Sequence, residues 1–333
     1  MTGAATVTGP GPAASALRRI GVTDVRVTAL ALGGGPLGGL FAPVPHEQAV
    51  ATVRAAREQG IGYVDTAPHY GSGRSELAIA EALRQSPCTL STKVGRRLRP
   101  VEPGTVDGPP IFADPLPNEQ VWDWSADGIR RTLEDSLSRL GRDHADIVYL
   151  HDPDDHEDEV YAIAYPALAR LRDEGIVSAI GAGMNQTEML TRFVQRLDID
   201  VVLCAGRYTV LDRSAERDLL PACLANGTSL IAAGVFNSGL LADPRHQATF
   251  DYKPAPPELI RQAHRFHEVC AAHNVPLKAA AVQFPHRHPA VTATLVGCRS
   301  PEEVIEDITL FHQPIPQALW DDLDTVHRQH DPS

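Results

Sequence analysis

The sequence predicts an α/β fold: a (β/α)8 barrel with extra loops on one face and an extra C-terminal helix. Three observations carry this. An amphipathic helix, a Gly or short polar stop and an apolar strand recur along the chain; eight such strands can be counted; and three of them end in a titratable residue. Alternation of this kind implies a parallel sheet with right-handed crossovers, and eight strands favour closure. A length of 333 residues fits one such barrel with insertions, so no second domain is required.

The first fifteen residues, largely Gly, Ala, Thr and Pro with neither a basic start nor an apolar block, read as a disordered tail, leaving residues 16–333 as one domain. Val27 to Leu32 is the first expected strand. The following Gly33-Gly34-Gly35-Pro36-Leu37-Gly38 formally satisfies the dinucleotide fingerprint G-x-G-x-x-G. That fingerprint needs a helix opening on the glycines and an acid ending the next strand. Pro36 interrupts the loop, the helix starts near Pro45 and His46, and Glu58 falls inside it, so a Gly-rich turn at a barrel mouth is the better expectation.

Ala49, Val50, Val53 and Ala56 form one helix face before Gly60, and Ile61 to Val64 then runs into Asp65. A Thr-Ala-Pro turn carries Tyr70 away from the strand end, and Gly71 closes it. Thr89 to Thr92 runs into Lys93; a Pro-rich insertion, Gly95 to Trp124, follows. Ile129, Leu133, Leu137 and Leu140 precede Gly141, and Ile147 to Leu150 runs into His151 and an acidic loop, Asp152 to Glu159. Leu168 and Leu171 before Gly175 lead to the strand Val177 to Ile180; Asp200 to Cys204 is the next. Leu219, Leu220 and Leu224 before Gly227 lead to Ser229 to Ala233, a long loop Phe236 to Pro257, and the strand Ala293 to Val296. Pro316 to His327 reads as an additional outer helix. If the strands are parallel neighbours in a barrel, Asp65, Lys93 and His151 share the face on which such barrels carry their sites, and long loops there are lids or specificity elements.

Composition excludes several classes. A net charge of −12 opposes a polyanionic partner such as nucleic acid, and no apolar run is long enough to span a bilayer. Five cysteines, an odd set without Cys-x-x-Cys spacing, suit a reduced cytoplasm rather than a disulfide framework or zinc ribbon. His151 to Asp158, His264-x-x-His267 and His286-x-His288 match no metal-ligand spacing and read as solvated polar surface, so no metal is expected. Trp122 and Trp124 could stack on a sugar's C–H face or tether their loop, and both roles stay open.

The strings Asp65-Thr66-Ala67-x-x-Tyr70-Gly71, Ser91-Thr92-Lys93 and Leu150-His151 resemble the Asp, Tyr, Lys and His tetrad of the aldo-keto reductases. Gly181 to Gln186, Gly206 to Arg213 and Gly297 to Glu303 agree, and the first two resemble the branch that oxidises aldoses at C1, which includes L-fucose, D-threo-aldose and L-galactose dehydrogenases and a pyridoxal 4-dehydrogenase. The likeness covers roughly residues 18–330. It implies that Tyr70 transfers the proton, with Lys93 favouring phenolate, Asp65 holding the ammonium and His151, as neutral imidazole, binding the reacting oxygen. It assigns the nicotinamide amide to Asn185, ring stacking to Tyr208, and the pyrophosphate loop to Phe236, Asn237, Ser238, Gly239 and Leu240. Gly297, Arg299, Ser300, Glu303 and Asp307 fall at the adenosine end, where a helix N-terminus favours anions. Ala205 and Gly183 depart from the usual Gln and Ser. Glu303, where NADP-using relatives carry a base, implies NAD, while Arg299 keeps NADP possible. The implied substrate is a neutral aldose of the L-fucose or D-threo type, oxidised to a lactone. Pyridoxal or a generic aldehyde, or a role as a cofactor-binding redox sensor, stand as alternatives, and the oligomeric state is left open.

Overall fold

A computed structural model describes residues 11–84, 86–102, 111–244 and 249–330. Of the expected tail, residues 1–10 lie outside that range. Ala14 is buried, and its N–H reaches His312 Nε2 at 3.0 Å, so the packed chain begins before residue 16.

Among the described residues, eight parallel strands close into a barrel in chain order: β1 (Leu30–Gly33), β2 (Tyr63–Asp65), β3 (Thr89–Val94), β4 (Ala145–His151), β5 (Val177–Met184), β6 (Val201–Ala205), β7 (Ser229–Ala233) and β8 (Val291–Gly297). The helices between them are α1 (His46–Glu58), α2 (Arg74–Leu83), α3 (Ala126–Leu140), α4 (Tyr165–Asp173), α5 (Thr187–Arg196), α6 (Leu219–Asn226), α7 (Pro257–Ala272) and α8 (Leu277–Gln283). After β8 come α9 (Pro301–His312) and the expected outer helix, α10 (Gln317–His330). Arg213 and Arg287 both bind Asp324 of α10, at 2.7 and 2.8 Å, and fix it to the barrel wall.

Side chains alternate along each strand and divide the core in two. Ala31, Tyr63, Ile147, Tyr149, Ala179 and Ala293 fill the barrel interior, while Leu30, Leu32, Val64, Val148 and Leu150 face the helices. Ile20 and Val27 join the interior cluster from an antiparallel hairpin, Leu17–Arg19 with Arg26–Thr28, that plugs the N-terminal end. The expected first strand, Val27 to Leu32, is therefore two elements: its start belongs to the plug, and only Leu30–Gly33 joins the barrel. The pair His286 and His288, expected at the surface, is buried instead, with His286 Nε2 donating to Ala29 O at 3.0 Å. The insertion after β3 carries a hairpin, Arg96–Pro100 with Asn118–Trp122, across the C-terminal mouth.

Candidate active site

Adjacent strands bring three of the four tetrad positions together. Register pairs Asp65 with Ser91 and Lys93 with Tyr149, and His151 stands two residues beyond Tyr149 on the same face. Lys93 Nζ donates to Asp65 Oδ2 at 2.6 Å and to Thr66 O at 2.8 Å, and Ser91 Oγ donates to Asp65 Oδ1 at 2.6 Å. Both charges are buried. The fourth member, Tyr70, arrives on the turn after β2. Gly71 has a φ of +63°, and a Cβ there would overlap the Gly38 carbonyl, so two glycines let the Gly-rich turn press against Tyr70. The Tyr70 ring lies 4.7 Å from Lys93 Nζ and meets the His151 ring nearly at right angles, with centroids 6.0 Å apart.

Burial shifts His151 and Tyr70 in opposite directions. Burial, then the charges of Arg96 and Lys93, hold His151 well below the usual histidine range, so it is neutral imidazole at pH 7. Neighbouring His69 is likewise lowered, to about 4, mainly by burial. Tyr70 moves the other way. Burial, and then the charge of the Asp65 carboxylate, push its phenol well above its ordinary value. In the described state Tyr70 holds its proton.

A cleft of about 320 Å³ opens beside Asp65 and Tyr70, passes Gly33 to Pro36 and Phe236, and ends at Arg299, Glu303 and Asp307. Ser238, Gly239 and Gly297 line it too. A Cβ on Gly297 would come within 2.7 Å of Pro36 Cγ, so glycine is needed where these two turns meet at the cleft. At its far end Lys278 Nζ lies 2.9 Å from Asp307 Oδ1. Ser300 caps α9, accepting from the Glu303 N–H at 3.3 Å, and the Glu303 carboxylate accepts from the Arg299 N–H at 2.7 Å.

Other expected cofactor residues sit differently. Tyr208 is buried against Phe284, with ring centroids 5.1 Å apart, and does not line the cleft; its ring has no open face for stacking. Leu240 is a core side chain. Asn237 is buried and ties the loop down through Nδ2 to Gly206 O at 3.1 Å. Both residues shape the loop from behind. Asn185, partly exposed, follows β5 at the mouth. Trp124 is packed under Gly95 and tethers the insertion, so it is no substrate platform, while Trp122 stacks on it and stays 45% exposed.

Two charged residues at the mouth were not singled out from sequence. Arg96 Nη2 donates to Asp152 Oδ2, bridging the loops after β3 and β4, and the guanidinium lies 4.3 Å from the Trp122 ring centroid. His69 Nδ1 pairs with Gln120 Oε1 beside them. The available signals were Gly95 directly after a strand end and an acid directly after His151, but nothing local links positions 56 apart.

Comparisons with known proteins fit this geometry. The model of the Aldo/keto reductase family matches residues 29–328. A pyridoxal 4-dehydrogenase from Microbacterium luteolum is 40% identical over 328 residues, covering 92% of this chain and 96% of its own. A D-threo-aldose 1-dehydrogenase from a Pseudomonas species is 40% identical over 306 residues, covering 89% and 93%. Among solved structures, a glycerol dehydrogenase from Gluconobacter oxydans superposes with a TM-score of 0.76 at 25% identity, covering 96% of this chain and 97% of that one. Aldo-keto reductases generally use NAD(P)H. A tetrad assembled at the mouth of a closed barrel, beside an open cleft, thus coincides with a family match along nearly the whole chain: the protein is an oxidoreductase of the aldo/keto reductase family.

Proposed function

We propose that this protein is a sugar 1-dehydrogenase that oxidises C1 of a neutral aldose, with L-fucose or a related D-threo sugar preferred, to the lactone, using NAD in preference to NADP. The observation that carries the chemistry is the buried Lys93 and Asp65 pair beside Tyr70 and a neutral His151, with Asp65 and Tyr70 lining the cleft. A nicotinamide dinucleotide, when bound, supplies the hydride acceptor. Tyr70 exchanges the proton of the C1 hydroxyl, as acid in reduction and as base in oxidation. Lys93, fixed by Asp65 and Thr66 O, stabilises charge developing on the Tyr70 oxygen. His151, without charge of its own, orients the substrate oxygen.

Glu303 supports NAD: it lines the far end of the cleft, where a carboxylate repels a 2′-phosphate and accepts from a free 2′-hydroxyl. Pyridoxal is the second substrate reading, favoured by the 40% identical relative named for it. An aldose and pyridoxal can each close as a cyclic hemiacetal, so one reacting centre serves both. The substrate is the only partner proposed, with neither nucleic acid nor membrane involved. The five cysteines, all free, support a reducing cytoplasmic setting, and no described helix is long and apolar enough to cross a membrane.

The test is a panel of specificity constants, read by absorbance of reduced cofactor, for L-fucose, galactose, arabinose, pyridoxal and simple aldehydes with each cofactor. A clear advantage for a plain aldehyde or a phosphorylated sugar overturns the aldose assignment. Tight cofactor binding with no turnover of any of them favours a redox sensor. Full retained turnover in folded Tyr70→Phe overturns the mechanism.

A further inference from the structure

Building on the aldose reading, we propose that Arg96 and Asp152 form a specificity pair that binds the hydroxyl on the carbon next to the reacting one. The chain is bent to bring them there. Gly95, at φ +102°, reverses direction after β3, with the Trp124 ring filling the space a side chain would need, and carries Arg96 back over the mouth. Asp152 follows His151 in the left-handed region, at φ +43°, held by its N–H to Gly183 O at 3.0 Å. Such backbone strain in a residue other than glycine persists where the surroundings enforce it.

The pair is built for a hydroxyl. Trp122 lies against one face of the guanidinium and Asp152 holds its Nη2, so the plane of donors is locked. Arg96 Nε is buried and has no hydrogen-bond partner among the described residues, so the pair as it stands holds an unsatisfied donor. Asp152 Oδ2 lies 3.6 Å from His151 Nε2. An oxygen held by His151 and one held by Asp152 are therefore neighbours, as C1 and C2 oxygens are on one sugar ring. A hydroxyl both donates and accepts, and so satisfies carboxylate and guanidinium together. An anion would meet the charge of Asp152, and an apolar substituent would leave Arg96 Nε unsatisfied.

The test compares kcat/KM for L-fucose and 2-deoxy-L-fucose in the wild type, Asp152→Asn and Arg96→Lys, with cofactor affinity by fluorescence as the check on folding. The wild type is expected to prefer L-fucose by about 10- to 100-fold, the range that a hydrogen bond to a charged group contributes. In each variant the ratio should fall to about threefold or less, because the deoxy sugar has no bond there to lose. A pair that merely ties the two loops together would lower both sugars alike, and an unchanged ratio in the variants overturns the proposal. So does a wild type that oxidises both sugars equally, a result that needs no variant to fold. A wild type that oxidises pyridoxal or a plain aldehyde but neither sugar removes the aldose reading and this proposal with it; failure of the pair alone leaves L-fucose turnover in the wild type intact.

Discussion

Lys93→Met should separate the stability of the barrel from its chemistry. Asp65 and Lys93 are 1% and 2% exposed, so the substitution leaves a carboxylate in the interior with, among the described residues, only the Ser91 hydroxyl, at 2.6 Å, to stabilise it. Removing one partner of a buried pair costs about 3–5 kcal/mol. The Thr66 carbonyl also loses its 2.8 Å donor, a further loss of about 1 kcal/mol. Against a total of roughly 5–15 kcal/mol for a domain, that is a large fraction. The double variant Lys93→Met with Asp65→Asn carries no buried charge and keeps an acceptor for Ser91, so it should recover about 3 kcal/mol and retain only the Thr66 loss and a residue of misfit. Turnover should stay at least about 100-fold down in both, since neither has the Lys93 ammonium beside Tyr70. Urea denaturation followed by tryptophan fluorescence, with steady-state rates on the same preparations, measures both quantities. A single variant that loses less than about 1 kcal/mol, or a double variant no more stable than the single, would refute the account of a functional pair held at a structural cost.

Glu303→Arg should raise the NADP to NAD ratio of kcat/KM by about tenfold or more, a change worth roughly 1.4 kcal/mol, and an unchanged ratio removes Glu303 as discriminator. The same change breaks the contact between its carboxylate and the Arg299 N–H and should lower stability by about 0.5–2 kcal/mol, seen as a lower Tm. Gly71→Ala, forced into positive φ and against the Gly38 carbonyl, should cost about 2–4 kcal/mol and displace Tyr70, so activity should fall in the fraction that still folds. Stability should decline as pH drops from about 6.5 towards 4, because His69 and His286, both lowered to about 4, and His151 are neutral when folded while an unfolded histidine takes up a proton near 6.5. Each site contributes up to about 1.4 kcal/mol per pH unit inside that window, and equal denaturant midpoints at pH 7 and pH 5 would contradict it.

What could be read from the sequence was whatever a single strand and its exit dictate. Asp65, Lys93 and His151 each end or nearly end an apolar run, and closure of the barrel converts three local patterns into one site. Seven of the eight expected strands lie at the expected places, and the exception, Val27 to Leu32, failed because the same alternation serves an antiparallel plug and a barrel wall equally well. The cofactor loop was legible in position but not in facing. Phe236, Ser238 and Gly239 line the cleft while Asn237 and Leu240 between and beside them turn inward, a consequence of the positive φ at Asn237 and Ser238 that no periodicity announces. Tyr208 was misplaced for a similar reason: the Gly206 turn, at φ +72°, aims the following side chains, and the packing of Phe284 captures the ring. Arg96 and Asp152 depend on two loops meeting, and that contact exists only once the barrel is closed.

The balance of charge at the mouth bears on what kind of substrate the barrel can take. Lys93 cancels Asp65, and Arg96 cancels Asp152, while His69 and His151 are neutral and Tyr70 keeps its proton. The reacting end thus carries no net charge inside a chain whose total is −12. A phosphorylated sugar would approach a chain of net charge −12 and meet, among these residues, no uncompensated cation to receive it. A neutral polyol faces no such barrier, and it brings the paired donors and acceptors that the Arg96 and Asp152 bridge presents in a fixed plane.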